Sequence, residues 1–341
     1  MWNCSRTTCQ INRMRATDKV RLAIVSDIHY AGPMERQRTN YCLGAIANPW
    51  QRLAVRAYRH FLWLRDPLGH NHLLDEFLRR ANGVDFAVAN GDYSCDSAFI
   101  GVADAAACES AQECLGKLRG KFGEQFRATV GDHELGKKPL GADVGGLRLS
   151  SYECLADPLA LPPFWQVQFG RYVLVGVLSS LIALPIYEPD TLPDELPSWR
   201  RLRDDHLTEC RRAFAALAPD QRVLLFCHDP TALPFLYQDD AIRSRLGQIE
   251  RTIIGHLHSK LVLWKGRLLA GLPPIYFLGH TTRRLSTALR QARLWDHFSV
   301  LLCPSLSGIQ LLKDGGFYFA EIDPEARRPV RFEFQPLPWS A

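Results

Sequence analysis

The 341-residue chain has ten cysteines but no CxxC pair, and Cys4 and Cys9, the nearest to a motif, fit no common zinc spacing. That argues against a cysteine-built zinc module. Scattered thiols suit a reducing compartment, so a cytoplasmic location is expected. The opening Met1-Trp2-Asn3-Cys4-Ser5-Arg6 lacks the apolar core of a secretory signal. Spanning a bilayer takes about 18 apolar residues. The longest uncharged run, 172–187, falls short and is interrupted by Ser179, Ser180 and Pro185. No internal repeat or low-complexity tract occurs. Acid is also missing locally: residues 251–293 hold eight Lys or Arg and no Asp or Glu. Residues 36–66 hold six arginines against one aspartate. The whole chain carries only +5, so the remainder is net acidic. Two concentrated basic stretches suit an anionic ligand such as phosphate, nucleic acid or a lipid headgroup.

What is present is an ordinary soluble composition, 47% hydrophobic and 23% charged, long enough to bury a substantial core. Residues 1–18 are polar and read as a loosely attached segment ahead of a single domain over 19–338. Apolar, β-branched runs predict strands at 20–25, 84–90, 126–130, 172–178, 222–227 and 251–254. Helical spacing predicts helices at 71–80, 103–120, 202–217, 241–246 and 283–295. Residues 135–165, with several glycines and Pro162-Pro163, read as loop. Short turns at Asp314-Gly315-Gly316 and Asp323-Pro324 separate late strands at 298–302, 316–322 and 330–334. Early strand–helix alternation followed by paired strands predicts two sheets flanked by helices.

A basic helical insertion occupies about 31–70. Its helix starts at Asn48-Pro49, with proline at the first turn. Trp50, Leu53, Ala54, Ala57, Tyr58, Phe61 and Leu62 form an apolar stripe, and Arg52, Arg56 and Arg59 a basic one. Two roles fit this pattern: a crossover helix lying on a sheet, or a helix with an exposed apolar face for a membrane surface or an acyl chain.

The predicted strands share one feature: they end in metal-ligating side chains. Asp27 and His29 follow the first, Asp92 the second, Asp132 and His133 the third, His228 a later one, and His256 and His258 the last. Residues two apart in extended chain face one side, so Asp27/His29 and His256/His258 each converge. Strand ends meet only along the carboxyl edge of a sheet. Three carboxylates and four imidazoles, with His133 held apart, suffice for two divalent ions sharing one carboxylate. Such a pair can clamp both oxygens of an in-line phosphoryl displacement.

Asp27-Ile28-His29, Gly91-Asp92, Gly131-Asp132-His133-Glu134, His228 and Gly255-His256-Leu257-His258 resemble, in order, the motifs of the calcineurin-like metallophosphoesterase superfamily. The resemblance spans 27–258 and implies a four-layer α/β-β/α sandwich, two mixed β-sheets flanked by helices. It implies that Asp27, His29 and His258 hold one metal ion, that Asp132, His228 and His256 hold the other, and that Asp92 bridges them. It gives His133 the role of stabilising phosphoryl charge and protonating the leaving oxygen, with Glu134 orienting its ring. The ions would be Mn²⁺ before Fe, Zn or Mg. One position departs: the family has asparagine where Asp132 stands. With two divalent ions, three carboxylates and a hydroxide, the centre would be neutral, where asparagine leaves one net positive charge. That favours tighter binding of hard cations and a less acidified water.

The motifs imply a phosphoester hydrolase without fixing the substrate. The basic, apolar-striped insertion resembles family members that cleave the pyrophosphate of a UDP-linked diacylated glucosamine, with Arg52, Arg56 and Arg59 contacting substrate. Peripheral contact with the inner face of an anionic membrane follows from the same reading. A nucleotide or cyclic-nucleotide phosphodiesterase is the alternative, and a non-catalytic scaffold of the same fold a third. Aromatic residues are not interleaved with the basic ones, which argues against nucleic acid.

Overall fold

The structure, a computed structural model, describes residues 9–10, 19–139, 144–271 and 287–339. Its strands are β1 (Cys9–Gln10), β2 (Val20–Val25), β3 (Phe86–Asn90), β4 (Phe126–Thr129), β5 (Phe164–Phe169), β6 (Tyr172–Val177), β7 (Arg222–Cys227), β8 (Ile249–Ile254), β9 (Val300–Leu302), β10 (Gly316–Ile322) and β11 (Arg331–Pro336). They form two mixed sheets, ordered β11-β10-β2-β3-β4 and β1-β5-β6-β7-β8-β9. Within them β2, β3 and β4 run parallel, as do β6, β7, β8 and β9.

Alternation along the strands builds the layers. Leu22 and Ile24 of β2 and Phe86 and Val88 of β3 face Trp165, Val167, Leu174 and Phe226 of the other sheet, forming the core between sheets. The intervening residues, such as Ala23, Val25, Ala87 and Ala89, face outward and bury Leu73, Leu74 and Phe77 of the Asn71–Arg80 helix and Leu115 and Leu118 of the Ala105–Phe122 helix. On the opposite side Val175, Val223 and Leu225 are covered by Trp199, Leu207 and Phe214 of the Leu196–Ala215 helix. Two mixed sheets therefore lie between helical layers, as expected. Strands buried on both faces read as continuous apolar runs, which is why they were legible.

Several elements went unanticipated. The Leu149–Ala156 helix lies in a region expected to be loop. It begins where the Leu149 N–H donates to Glu195 Oε2 at 2.8 Å, a capping partner 46 residues away that no local pattern reveals. β5 starts directly after Pro162-Pro163, and the prolines masked its alternation of Trp165, Val167 and Phe169. The Lys260–Leu268 helix is capped by Ser259, whose side chain accepts from Leu261 N–H. Within the polar N-terminal segment, β1 pairs in parallel with β5. The helix expected over 283–295 lies partly outside the described residues, and a 3-10 helix, Ala292–Phe298, occupies its end. The basic helix, Pro49–Phe61, buries none of its residues, so it is not a crossover lying on a sheet.

The Leu196–Ala215 helix carries a titratable core group. His206 is buried and its Nε2 accepts from Leu178 N–H at 3.1 Å, so the ring is neutral, and burial holds its pKa down to about 4. An unfolded chain takes up that proton near pH 6.5, so stability present above 6.5 is lost as pH falls toward 4. Urea denaturation at pH 7.5 and 4.5 is expected to show His206→Gln losing about 2–3 kcal/mol less than the parent between those values. Equal losses would remove His206 from the account.

Candidate metal centre

The parallel strands of both sheets deliver their carboxyl ends to one edge. There the sheets are tied together: Asn90 Nδ2 donates to the Ile253 carbonyl at 3.3 Å, and Ser26 pairs with Ser305. Asp27, His29, Asp92, His256 and His258 all lie just past strand ends in left-handed backbone, with φ between 49 and 60°. Non-glycine residues pay conformational energy there, and such strain concentrates at functional sites. Gly255 makes the approach possible, because a Cβ would sit 2.1 Å from Ser26 Oγ and 2.3 Å from Asp27 Oδ2.

Two groups of potential ligands result, Asp27–His29–Asp92–His258 and Asp132–His228–His256. In the first, His29 Nε2 and His258 Nε2 face each other at 3.2 Å, and His258 Nε2 lies 3.3 Å from Asp27 Oδ1. In the second, Asp132 Oδ1 is 2.8 Å from His256 Nδ1 and 3.2 Å from His228 Nε2. Asp92 joins them. Its Oδ2 is buried without a well-aligned hydrogen bond, 3.2 Å from His228 Nε2 and 3.9 Å from the Nε2 atoms of His29 and His133. Ring orientations are set from behind. His228 Nδ1 donates to the Asn90 carbonyl at 2.5 Å and His29 Nδ1 to the Ser94 carbonyl at 3.2 Å, leaving each Nε2 lone pair pointed into the site. Asp27 accepts from the Ser26 hydroxyl and the His256 N–H.

The donor set fits two divalent cations: hard carboxylate oxygens, imidazole nitrogens and an under-coordinated buried carboxylate oxygen between them. Electrostatics divides the groups. Burial, then neighbouring imidazoles, hold His29 and His258 below their ordinary values. Burial opposes protonation of His228 and His256 too, but Asp92 and Asp27 raise the first and Asp132 the second. Burial raises Asp27, whereas His228 and His133 hold Asp92 down against burial, and His256 and Lys137 do so for Asp132.

His133 lies outside both groups. Its ring packs edge-on to His29 at 4.7 Å, and it lines a cavity of about 280 Å³ that also opens on His29 and His258. Glu134 requires correction. Its carboxylate accepts from the backbone N–H groups of Asp92 (3.0 Å), Tyr93 (2.8 Å) and Gly131 (2.8 Å). It fixes the two loops bearing Asp92 and Asp132 rather than the His133 ring, and burial raises its pKa to about 8. The arginines also separate. Arg52 Nε and Nη2 both donate to the Ile46 carbonyl, so this side chain closes its own helix end and lines neither cavity. Arg59 lines the 280 Å³ cavity and an adjoining one of about 410 Å³, where Arg56, His60 and Arg65 join it.

Sequence reading missed Trp63 and Lys137 as site residues. Trp63 packs on His258 with ring centroids 4.8 Å apart, and Lys137 Nζ lies 2.8 Å from Asp132 Oδ2. The only signal for Lys137 was a basic pair, Lys137-Lys138, close behind the Asp132 motif.

No protein-family model and no curated protein matches the chain. Among solved structures it is similar to a conserved uncharacterized protein (predicted phosphoesterase) of Streptococcus pneumoniae, at 9% identity over 93% of this chain and 99% of that one, with a TM-score of 0.27. A metallophosphoesterase from Sphaerobacter thermophilus gives 12% identity, 93% and 88% coverage, and a TM-score of 0.29. Function is therefore read from the side chains of this chain.

Full loading is expected at two divalent ions per chain, and one in Asp27→Ala or Asp132→Ala. Proton competition is stronger at His228 and His256, raised by their carboxylate neighbours, than at His29 and His258, which burial lowers. Lowering pH from 8 to 6 should therefore empty the Asp132–His228–His256 group first. Equilibrium dialysis with elemental analysis of both variants checks the order; the reverse order would contradict this division of charge.

Proposed function

We propose that this chain is a metal-dependent phosphoester hydrolase with a dinuclear Mn²⁺ centre, acting on a nucleotide-diphosphate lipid at an anionic membrane surface. The position of Asp92 between the two ligand groups carries the reading. Asp27, His29 and His258 would hold one ion, Asp132, His228 and His256 the other, with Asp92 shared. When bound, the pair supplies an activated hydroxide and charge neutralisation at phosphorus. His133 lines the cavity at this centre, which supports a role in donating a hydrogen bond to a phosphoryl oxygen and supporting the leaving oxygen.

The cavity walls support the substrate class. Val55, Tyr58, Trp63 and Phe99 give the 280 Å³ cavity an apolar lining suited to an acyl chain, and Arg59 supplies a cation for a diphosphate. The basic side chains of the 410 Å³ cavity suit a second anionic group. Outside, the basic helix presents Trp50 (78% exposed), Leu53 and Phe61 to solvent. Exposed aromatic and aliphatic side chains beside arginines support binding to anionic lipid. No helix among the described residues is long and apolar enough to cross a membrane. A nucleotide phosphodiesterase is the second reading, favoured by the stacked Tyr58–Trp63 rings as a platform for a base.

Hydrolysis of bis(p-nitrophenyl) phosphate with Mn²⁺ should fall about a hundredfold or more in His133→Ala, and Asp92→Ala should abolish it with loss of bound metal. Turnover unchanged in both variants would refute the dinuclear mechanism. Phosphatidylglycerol vesicles should raise turnover of a nucleotide-diphosphate lipid, and Trp50→Glu with Phe61→Glu should remove that stimulation. Equal rates with and without vesicles, together with faster cleavage of plain nucleotides, would favour the second reading.

A further inference from the structure

The Asp132 carboxylate faces two ways. Oδ1 points at His228 and His256, into the ligand group. Oδ2 points the other way and meets Lys137 Nζ at 2.8 Å, with the Asp132 side chain 3% and the Lys137 side chain 26% exposed. This ion pair is built by the fold. The N–H groups of Leu135 and Gly136 both donate to the Asp132 carbonyl, at 3.2 and 3.0 Å, which closes a tight turn. Gly136 completes it at φ +103°, where a Cβ would sit 2.3 Å from the Gly146 carbonyl oxygen. The Lys137 N–H then donates to Asp96 Oδ2 at 3.2 Å, and Asp96, fully buried, also accepts from Gly101 N–H at 2.8 Å. Lysine is thus delivered to the rear oxygen of Asp132 by a turn with little freedom.

We infer that Lys137 is the built-in counter-charge of Asp132, so that the pair presents the His228–His256 ion with an oxygen donor close to neutral. The inference rests on the dinuclear reading and changes its charge count. The extra negative charge of an aspartate at position 132 is returned by an ammonium 2.8 Å behind it. The centre keeps a net positive charge, which favours an acidified water and an anionic substrate. Lys137 is a positioning residue in this scheme: it acts through Asp132.

The sign of the effect on metal affinity separates this role from simple support. A lysine that merely held Asp132 in place would weaken metal binding when removed. A counter-charge that repels the cation and neutralises its ligand would strengthen it. The measurement is Mn²⁺ titration of the full chain at one fixed pH by isothermal calorimetry, following the binding step that Asp132→Ala removes. Lys137→Met and Lys137→Gln should both tighten that step by about fivefold or more while lowering turnover. Lys137→Arg should stay near the parent. Asp132→Asn, which leaves the ammonium facing an amide, should weaken the step about tenfold or more, and Asp132→Asn with Lys137→Met should recover most of that loss. Two bound ions in the parent with weaker binding in both neutral Lys137 variants, or a double variant that binds no more tightly than Asp132→Asn alone, would overturn the inference and leave the dinuclear reading intact. A parent chain that binds no Mn²⁺ would overturn both.

Discussion

Everything at the carboxyl edge of the sheets answers one constraint: buried charge must be neutralised. Asp27, Asp92 and Asp132 are each at most 2% exposed, and all lie at one edge. An unpaired buried carboxylate costs several kcal/mol. The imidazoles of His29, His228, His256 and His258 surround these carboxylates without enough protons to pair every one, because burial keeps His29 and His258 neutral. Cations satisfy such a cluster better than protons do. The backbone is bent to that end: five ligand candidates accept left-handed φ, and the Asp92 and Asp132 loops are pinned through their N–H groups by Glu134. Strain of this kind persists only where the surrounding structure holds it, and here both sheets do so through Asn90 and Ser26.

The strands and the ligand set could be read in the sequence for one reason. A strand buried on both faces is a continuous apolar run, so a carboxylate or imidazole just past its end stands out. Phe86–Asn90 into Asp92 and Arg222–Cys227 into His228 are the clearest cases. What escaped depended on contacts distant in sequence. The Leu149–Ala156 helix begins on Glu195, and β5 is signalled only by alternation that two prolines obscure. Glu134 was misassigned because adjacency to His133 suggested contact with its ring. A carboxylate surrounded by three backbone N–H groups has no reason to seek a side chain. Arg52 was grouped with Arg56 and Arg59 by helical spacing alone. Spacing gives the stripe but not the destination of a long flexible side chain, and the Ile46 carbonyl claims this one.

The basic insertion shows the same division between pattern and placement. Its apolar stripe was legible, and two roles fitted it. The structure selects between them by burial: a crossover helix would bury Leu53 and Phe61, and both are more than half exposed. The inner edge of the insertion nevertheless reaches the site. Trp63 lies on His258, and the Gln310 and Leu311 N–H groups fasten the chain at Trp63 and Leu62. One short segment therefore meets the ligand cluster on one side and solvent on the other, linking what the site accepts to what the surface touches.

Asp132 and Glu134 lie two residues apart and solve the same problem in opposite ways. Glu134 accepts from three backbone N–H groups while burial and Asp92 keep it from ionising easily, so its role is to hold backbone. Asp132 is ionised, held down by His256 and Lys137 against burial, so its charge is available to a cation. A substitution at 132 cannot be interpreted from that residue alone. Taken singly, an aspartate in place of an amide lowers the charge of the centre by one unit; taken with Lys137 it leaves that charge unchanged. The turn through Gly136 makes the two residues one functional unit, because it fixes the ammonium against the carboxylate oxygen that the imidazoles do not use.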